Sequence, residues 1–128
     1  MKVIVSTLLA SAAVLAGCAS GPPPARDFPP GARVPSVAEL TTLFRGKTTT
    51  TESSTAGTIR VDYAADSNQL KILTRGRADT GTWRADENGK VCFEFKTFQS
   101  TCNDIRMVGQ EVYIRRANGE VTSVMISR

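Results

Sequence analysis

From residue 58 onward, apolar and polar residues alternate in short runs that are separated by turn signals. The runs are TIRVDY, QLKILT, GTWRA, VCFEFK, TCNDIRM, EVYIRR and VTSVMIS, and the turns between them include DSN, DENGK and ANGE. Turn signals at this close spacing favour antiparallel pairing over any arrangement with crossover helices. The sequence therefore predicts a mainly β domain, an antiparallel meander of about seven or eight strands that forms a curled sheet or small barrel.

One short helix is predicted ahead of these strands, within the sequence SVAELTTLFRGK. Ser36 and Glu39 have the spacing of a capping box, and Gly46 stands where a C-terminal cap is expected. The apolar residues that fall on one face of this helix are Val37, Leu40, Leu43 and Phe44. The threonine-rich stretch KTTTTESST follows, and its β-branched residues predict one more strand or a sheet edge.

The amino-terminal segment has the pattern of an export signal. Lys2 is the only charged residue before Arg26, and it precedes the apolar run VIVSTLLASAAVLA. This run is shorter than the roughly 20 residues that span a bilayer, and a charged start before a short apolar stretch is typical of a cleaved signal peptide. The letters LAGC, which end at Cys18, resemble the lipobox of bacterial lipoproteins, in which the peptidase cuts immediately before the cysteine.

The lipobox resemblance implies a signal peptide over residues 1–17 and acyl chains such as palmitate on Cys18. Several acyl chains on one residue hold a protein in a membrane essentially permanently. Ala19 follows the cysteine, whereas bacteria of the enteric type use an aspartate there to retain lipoproteins in the inner membrane. The resemblance therefore implies an outer-membrane lipid anchor and a domain that faces the periplasm or the cell surface. The alternative is an ordinary cleaved signal with a chance cysteine.

Prolines concentrate between the leader and the predicted domain. All six lie between Pro22 and Pro35, in a stretch with too few apolar side chains to offset its ordering entropy. We predict a lipidated cysteine and proline-rich linker over residues 18–35, followed by a small β domain over residues 36–128. At about 3.1 Å per residue, a linker of this length reaches on the order of 50 Å. A polyproline ligand for an SH3-like partner is the alternative interpretation.

Three cysteines occur in the chain, and the lipobox assigns Cys18 to lipid. Cys92 and Cys102 remain as a pair, which favours a structural disulfide in an oxidising compartment. Alternation with period two puts both cysteines on the polar side of their strands. A metal site or a redox pair is the weaker alternative, because the spacing is not Cys-x-x-Cys and the chain contains no histidine.

The stretch GTWRADENGKVCFEFKTFQSTCNDIRMVGQEVYI is similar to short exported proteins that are common in alphaproteobacteria. The residues that carry this resemblance are Gly81, Trp83, Gly89, Cys92, Phe93 and Cys102. The similarity extends over roughly residues 36–128 and implies a small Gram-negative envelope lipoprotein with an uncharacterised Gly-x-Trp, Cys-Phe, Cys antiparallel β domain. It implies a fold and no activity.

Enzymatic chemistry finds little support in the residue types present. The chain has no histidine, so Ser-His and Cys-His pairs and the usual general base near neutral pH are excluded. The letters RGKT resemble the end of a phosphate-binding loop, but Thr41 stands where that motif requires glycine. Solvated ion pairs at turns and on polar strand faces account for the carboxylates. We therefore predict no enzymatic activity, no catalytic residues, no metal site and no cofactor.

Positive charge is in mild excess, with 16 basic and 12 acidic residues and a formal net charge of +4. Arg75 and Arg77 lie at a predicted hairpin end, and Arg115 and Arg116 end a predicted strand. These four arginines are candidates for a basic patch that meets anionic lipopolysaccharide, phospholipid or peptidoglycan, with ordinary solubility charges as the alternative. Nucleic acid is not an expected partner, because no aromatic residues are interleaved with the basic ones.

Trp83 is the single tryptophan, and it is interpreted either as a core aromatic residue or as the floor of a ligand cavity. The sequence favours a membrane-anchored, non-catalytic envelope module that binds a protein partner or stabilises an assembly. The alternatives are a lipocalin-like carrier of a small ligand or lipid and a lysozyme-inhibitor-like protein. The chain lacks the early cysteine and the Trp-Lys-Gly stretch of such inhibitors, and both absences count against that alternative.

Overall fold

Eight antiparallel strands form a closed barrel in which each strand pairs with the next along the chain. This computed structural model describes residues 23–128. The strands are β1 (Thr48–Ser53), β2 (Gly57–Tyr63), β3 (Gln69–Thr74), β4 (Arg77–Ala85), β5 (Lys90–Phe95), β6 (Thr101–Val108), β7 (Glu111–Arg115) and β8 (Val121–Ser127). Helix α1 (Val37–Phe44) precedes them, and β1 pairs with β8 to close the barrel. The predicted mainly β meander with one short amino-terminal helix is confirmed, as a barrel.

Alternating side chains fill the interior because every second residue of a strand points inward. In β3, for example, Leu70 and Ile72 are buried while Lys71 and Leu73 are exposed. The same alternation in β2 to β7, together with α1, builds one hydrophobic core from Leu40, Phe44, Val61, Tyr63, Leu70, Ile72, Trp83, Val91, Phe93, Ile105, Met107, Val112 and Ile114.

The two ends of the barrel differ, because an up-and-down topology brings alternate connections to the same end. The rim end carries the turns at residues 54–56, 75–76, 96–100 and 116–120. The plug end carries α1 and the connections at residues 64–68, 86–89 and 109–110. Strands of five to nine residues separate the two ends, a distance of roughly 20 to 30 Å for most of the strands.

Helix α1 begins at the predicted capping box. The Ser36 hydroxyl accepts a hydrogen bond from the Glu39 backbone N–H at 3.1 Å, and the Glu39 carboxylate accepts one from the Ser36 N–H at 3.4 Å. The Arg33 guanidinium also donates to Glu39, and this hydrogen bond holds the pKa of the Glu39 carboxyl below its usual value. Gly46 follows the helix with a φ of 72°, a conformation that favours glycine. Val37 departs from the predicted apolar face and is 39% exposed.

The apolar face of α1 closes the plug end. Leu40 and Phe44 are buried, and the Phe44 ring stacks on the Tyr63 ring with centroids 5.0 Å apart. The edge of Trp83 meets both rings, at 5.8 Å from Phe44 and 5.7 Å from Tyr63. Offset and edge-to-face pairs of this kind add to the burial energy of each ring. The helix therefore seals one end of the barrel with an aromatic cluster.

The disulfide joins Cys92 and Cys102, which are directly opposite in the register of β5 and β6. Their Cα atoms are 4.0 Å apart, and both side chains lie on the outer face of the barrel. The predicted pairing and the predicted polar side are both confirmed. The bridge fixes the β5–β6 hairpin independently of the core.

A lateral segment, residues 25–35, runs along the outside of the barrel from the rim end to the plug end. At the rim end the Ala25 carbonyl accepts a hydrogen bond from the Val121 N–H at 2.7 Å. Toward the plug end Arg33 forms an antiparallel bridge with Met107, with N–H to carbonyl distances of 2.8 and 2.9 Å in the two directions. Pro35 is then fully buried before the helix begins.

The middle of the lateral segment is held by Phe28. The Arg106 and Arg115 guanidiniums lie over its ring, at 5.4 and 4.9 Å from the centroid. These contacts place the start of the folded unit upstream of the predicted boundary at residue 36. Residues 25–35 therefore contribute packing to the barrel.

Replacing both Cys92 and Cys102 by serine is expected to lower the free energy of unfolding by about 2.5 to 3 kcal/mol, because the open loop gains conformational freedom in the unfolded chain. Urea denaturation under non-reducing conditions measures this change through the transition midpoint. The unsubstituted protein with its disulfide reduced serves as the control and should match the variant. Equal midpoints for the oxidised protein and the variant would refute a stabilising role for the bridge.

Candidate functional site

Buried polar residues are concentrated toward the rim end of the barrel interior. Inward alternation in β1 buries Thr51 and Ser53 near the rim and Thr49 nearer the plug end. Other strands add buried polar side chains, namely Asp79, Asn103 and Glu120. The apolar core extends along the interior as far as Ile72, which lies opposite Asp79, and the aromatic cluster is at the plug end. The buried carboxylates are therefore concentrated at the rim.

Asp79 holds the β5–β6 loop in place. Its carboxylate accepts hydrogen bonds from the backbone N–H groups of Thr97 and Phe98, both at 2.8 Å, and from Thr80 at 2.9 Å. These bonds, that from Phe98 foremost, lower the pKa of Asp79 to about 2. The carboxylate is therefore charged at neutral pH, and its role is to position Phe98 and the loop around it.

Glu120 joins two turns of the rim in the same manner. Its carboxylate accepts hydrogen bonds from the hydroxyl and the backbone N–H of Ser54, the latter at 3.0 Å. The Ser54 hydroxyl is the main cause that lowers the pKa of Glu120, and the charge of Arg116 contributes less. The Arg116 guanidinium donates to the Thr51 hydroxyl at 2.7 Å and to the Glu52 carbonyl. The β7–β8 turn is in this way tied to β1 and to the β1–β2 turn.

A cleft of about 710 Å³ opens at the rim between the β1–β2 turn, the β3–β4 turn and the β5–β6 loop. This rim cleft is lined by Thr55, Ala56, Thr74, Arg75, Arg77, Thr97, Phe98 and Gln99. Arg77 lies over the Phe98 ring at 5.1 Å from its centroid, and Arg75 turns the β3–β4 hairpin with a φ of 52°. The cleft combines two exposed guanidiniums, several hydroxyl groups and one aromatic face.

The four candidate arginines all lie at the rim end, but they do not form one patch. Arg75 and Arg77 are exposed at the rim cleft. Arg115 and Arg116 are on β7 and the turn after it, on the opposite side of the barrel. Arg115 is paired with Asp104 at 3.1 Å, and Arg116 points into the rim. Of the four, Arg75 and Arg77 are the more exposed pair.

Trp83 belongs to the plug-end aromatic cluster and is 3% exposed. It does not line the rim cleft. This position corresponds to the core interpretation of the residue. Cys18, the candidate lipidation site, lies outside the residues that the structure describes.

The sequence interpretation missed Asp79, Glu120 and Phe98 as organising residues of the rim. The sequence predicts both carboxylates on solvated turns and strand faces, whereas they are buried. For Asp79 a signal existed, because it shares the inward parity of Gly81 and Trp83 on β4. No local pattern marks Glu120, whose partner lies 66 residues away in the sequence.

Neither a cluster of metal-ligating side chains nor a membrane-spanning helix occurs in the described residues. Across residues 23–128, no three or more Cys, Asp or Glu side chains are grouped so that they could hold a metal ion. Within that same part of the chain, no helix has the length and apolar character required to cross a bilayer. The carboxylates of the rim are occupied by backbone N–H and hydroxyl donors, so their arrangement serves to build turns.

Comparison with known proteins identifies one family. Its model, which carries the description "Protein of unknown function (DUF995)", matches residues 7–122. No curated protein and no solved structure matches this chain.

Changing Asp79 to Asn is expected to lower the melting temperature at pH 7 by roughly 5 °C, because a neutral amide replaces the charged acceptor of three N–H groups. The folded-state pKa of about 2 lies below the ordinary value of 3.8. The stabilisation is therefore fully present above about pH 4 and is lost as the pH falls toward 2.

Melting curves between pH 2 and pH 7 measure this effect, and the gap between the two proteins should narrow on the acid side. Asp66→Asn, a change at an exposed turn residue of the plug end, is the matched control and should leave the melting temperature nearly unchanged. A constant gap at all pH values would contradict the assigned role of the Asp79 charge.

Proposed function

Because the chain belongs to the DUF995 family, whose function is unknown, we propose a function from its own residues: a membrane-anchored, non-catalytic binding module of the bacterial envelope. The lipobox that ends at Cys18 supplies the anchor. The barrel supplies a rigid frame, and the turns of the rim supply the binding surface.

The observation that carries this proposal is the contrast between a filled interior and an open rim. Core residues from six strands and from α1 pack into one cluster inside the barrel. The rim cleft, by comparison, is lined by turn and loop residues with exposed arginines. Residues at the ends of a rigid scaffold are the usual place for binding functions, because loops can vary while the core is preserved.

A lipocalin-like carrier is the second candidate, and the closed eight-stranded barrel is compatible with it. Such a carrier requires space inside the barrel. The burial of Phe93, Ile105 and Ile114 from neighbouring strands, with the aromatic cluster beneath them, favours a side-chain-filled interior. The rim cleft is therefore the better supported binding surface.

A non-catalytic role agrees with the state of the rim carboxylates. Asp79 and Glu120 each accept hydrogen bonds from neighbouring turns, and both have lowered pKa values. A general acid or base that works near neutral pH requires a pKa near the operating pH. These two groups instead act as hydrogen-bond acceptors that hold the turns in place.

Changing Cys18 to Ser is expected to abolish lipid attachment and to leave the full-length precursor uncleaved. Metabolic labelling with a palmitate analogue, combined with the apparent mass of the protein, measures both effects in cells. The double change of Cys92 and Cys102 to Ser is the matched control, since it removes the disulfide cysteines without touching the lipobox and should be labelled normally. Labelling and processing of Cys18→Ser at the level of the unsubstituted protein would refute the anchor.

Binding at the rim is expected to give position-dependent crosslinks in intact cells. A photoreactive p-benzoylphenylalanine at Gln99, which lines the rim cleft, should form adducts with an envelope component. The same residue at Asn88, an exposed position in the plug-end β4–β5 turn, should form few. Equal adducts at both positions, or adducts at Asn88 alone, would contradict a binding surface at the rim.

A further inference from the structure

The lateral segment decides where the upstream chain leaves the barrel. Helix α1 and the start of β1 are at the plug end, yet the backbone at Ala25 is bonded to Val121 at the rim end. The Arg26 guanidinium also donates to the Asn118 carbonyl of the β7–β8 turn at 2.9 Å. The chain that leads back to Cys18 therefore departs from the rim.

The connection between Cys18 and the rim is short. Only seven residue steps separate Cys18 from Ala25, which fully extended span about 25 Å at most. This is comparable to the length of the barrel, whose strands cover roughly 20 to 30 Å. A lipid on Cys18 therefore holds the rim end close to the membrane surface, and the barrel cannot place its plug end nearer without folding back on its tether.

The rim end carries a small excess of exposed positive charge. The exposed cations there are Arg26, Arg75, Arg77 and Lys96, and the exposed anions are Asp27, Glu52 and Glu94. At the plug end the exposed anions include Asp66, Asp86, Glu87 and Glu111, and the exposed cations include Arg45, Arg84, Lys90 and Arg128, so the two signs nearly balance. None of the described residues that line the rim cleft is a carboxylate, so the two guanidiniums set the charge of that opening.

The rim cleft has the groups that a phosphate ester requires. Arg75 and Arg77 supply guanidinium donors, and Thr55, Thr74 and Thr97 supply hydroxyl groups around the same opening. Guanidinium groups match phosphate oxygens in both charge and geometry.

From these observations we infer that the rim end docks onto the anionic headgroups of the membrane that holds the anchor, with a lipid phosphate in the rim cleft. The inference rests on the proposed lipid anchor and names the partner of the rim. Each basic residue near an anionic surface contributes modestly. The short tether raises the local concentration of headgroups to the millimolar range or above, so this modest attraction is sufficient to orient the barrel.

The test uses the lipidated protein, purified from membranes and inserted into nanodiscs through its own acyl chains. One set of discs contains phosphatidylcholine alone, and a second contains one third phosphatidylglycerol, both with a gadolinium chelate on a small fraction of headgroups. Paramagnetic broadening of backbone amide signals then reports the distance of each turn from the surface. In the anionic discs the amides of residues 75–76 and 96–100 should broaden much more than those of residues 86–89.

Changing Arg75 and Arg77 together to Gln is expected to lower the ratio of docked to undocked protein in anionic discs by roughly thirtyfold. The matched control changes Arg84 and Arg128, two exposed arginines near the plug end, to Gln. It removes the same charge and should leave the broadening pattern unchanged. Circular dichroism spectra that overlay for all proteins show that the substitutions act on docking and not on folding.

Equal broadening of rim and plug-end amides, the same pattern in both lipid compositions, or an equal loss with the control variant would overturn the inference. A protein adduct at Gln99 in cells, without docking in anionic discs, would likewise overturn it while leaving the proposed binding module intact. The labelling experiment with Cys18→Ser tests the anchor by itself, because lipid attachment does not depend on how the barrel is oriented.

Discussion

Closure of the sheet by β1 and β8 is the constraint on which the rest of the structure depends, because it gives every inward side chain an enclosed environment. In this β1–β8 seam, Thr48, Thr49 and Thr50 pair with residues 125–127, all in the plug half of the barrel. Toward the rim, side chains of the β7–β8 turn connect to β1 and to the turn after it. Arg116 bonds to Thr51, and Glu120 bonds to Ser54. Backbone pairing thus closes one half of the seam, and charged side chains close the other.

The two ends of the barrel are closed by different interactions, and their side chains differ accordingly. An aromatic cluster can close the plug end because α1 excludes water from it. Within residues 23–128 no helix covers the rim, and its loops require partners for their backbone N–H groups. Buried carboxylates provide those partners at acceptable cost only when each one is fully hydrogen-bonded, as Asp79 is. A positive, hydroxyl-rich opening on a rigid frame is the result.

The elements that depend on local pattern could be predicted from the sequence. Alternation gave the strands and the side of Cys92, and capping-box spacing gave the helix start. The prediction failed where the decisive contact is distant in sequence. The inward carboxylate of Glu120 depends on a turn on the far side of the seam, and β4 extends over residues 77–80, ahead of the predicted run. Proline content indicated an extended linker, but Phe28 finds cation–π partners on β6 and β7.

The lateral segment changes the end of the barrel from which the upstream chain departs. The barrel topology alone would place that departure at the plug end. An up-and-down barrel with an even number of strands begins and ends its sheet at the same end, here the plug end. A chain that led upstream directly from α1 would therefore leave the barrel at the plug end. The bridge of Arg33 with Met107 and the bond between Ala25 and Val121 carry the chain back along the wall instead. Eleven residues of ordered chain thus exchange the end of the barrel from which the upstream chain departs, and with the proposed anchor the rim is the end that would face the membrane.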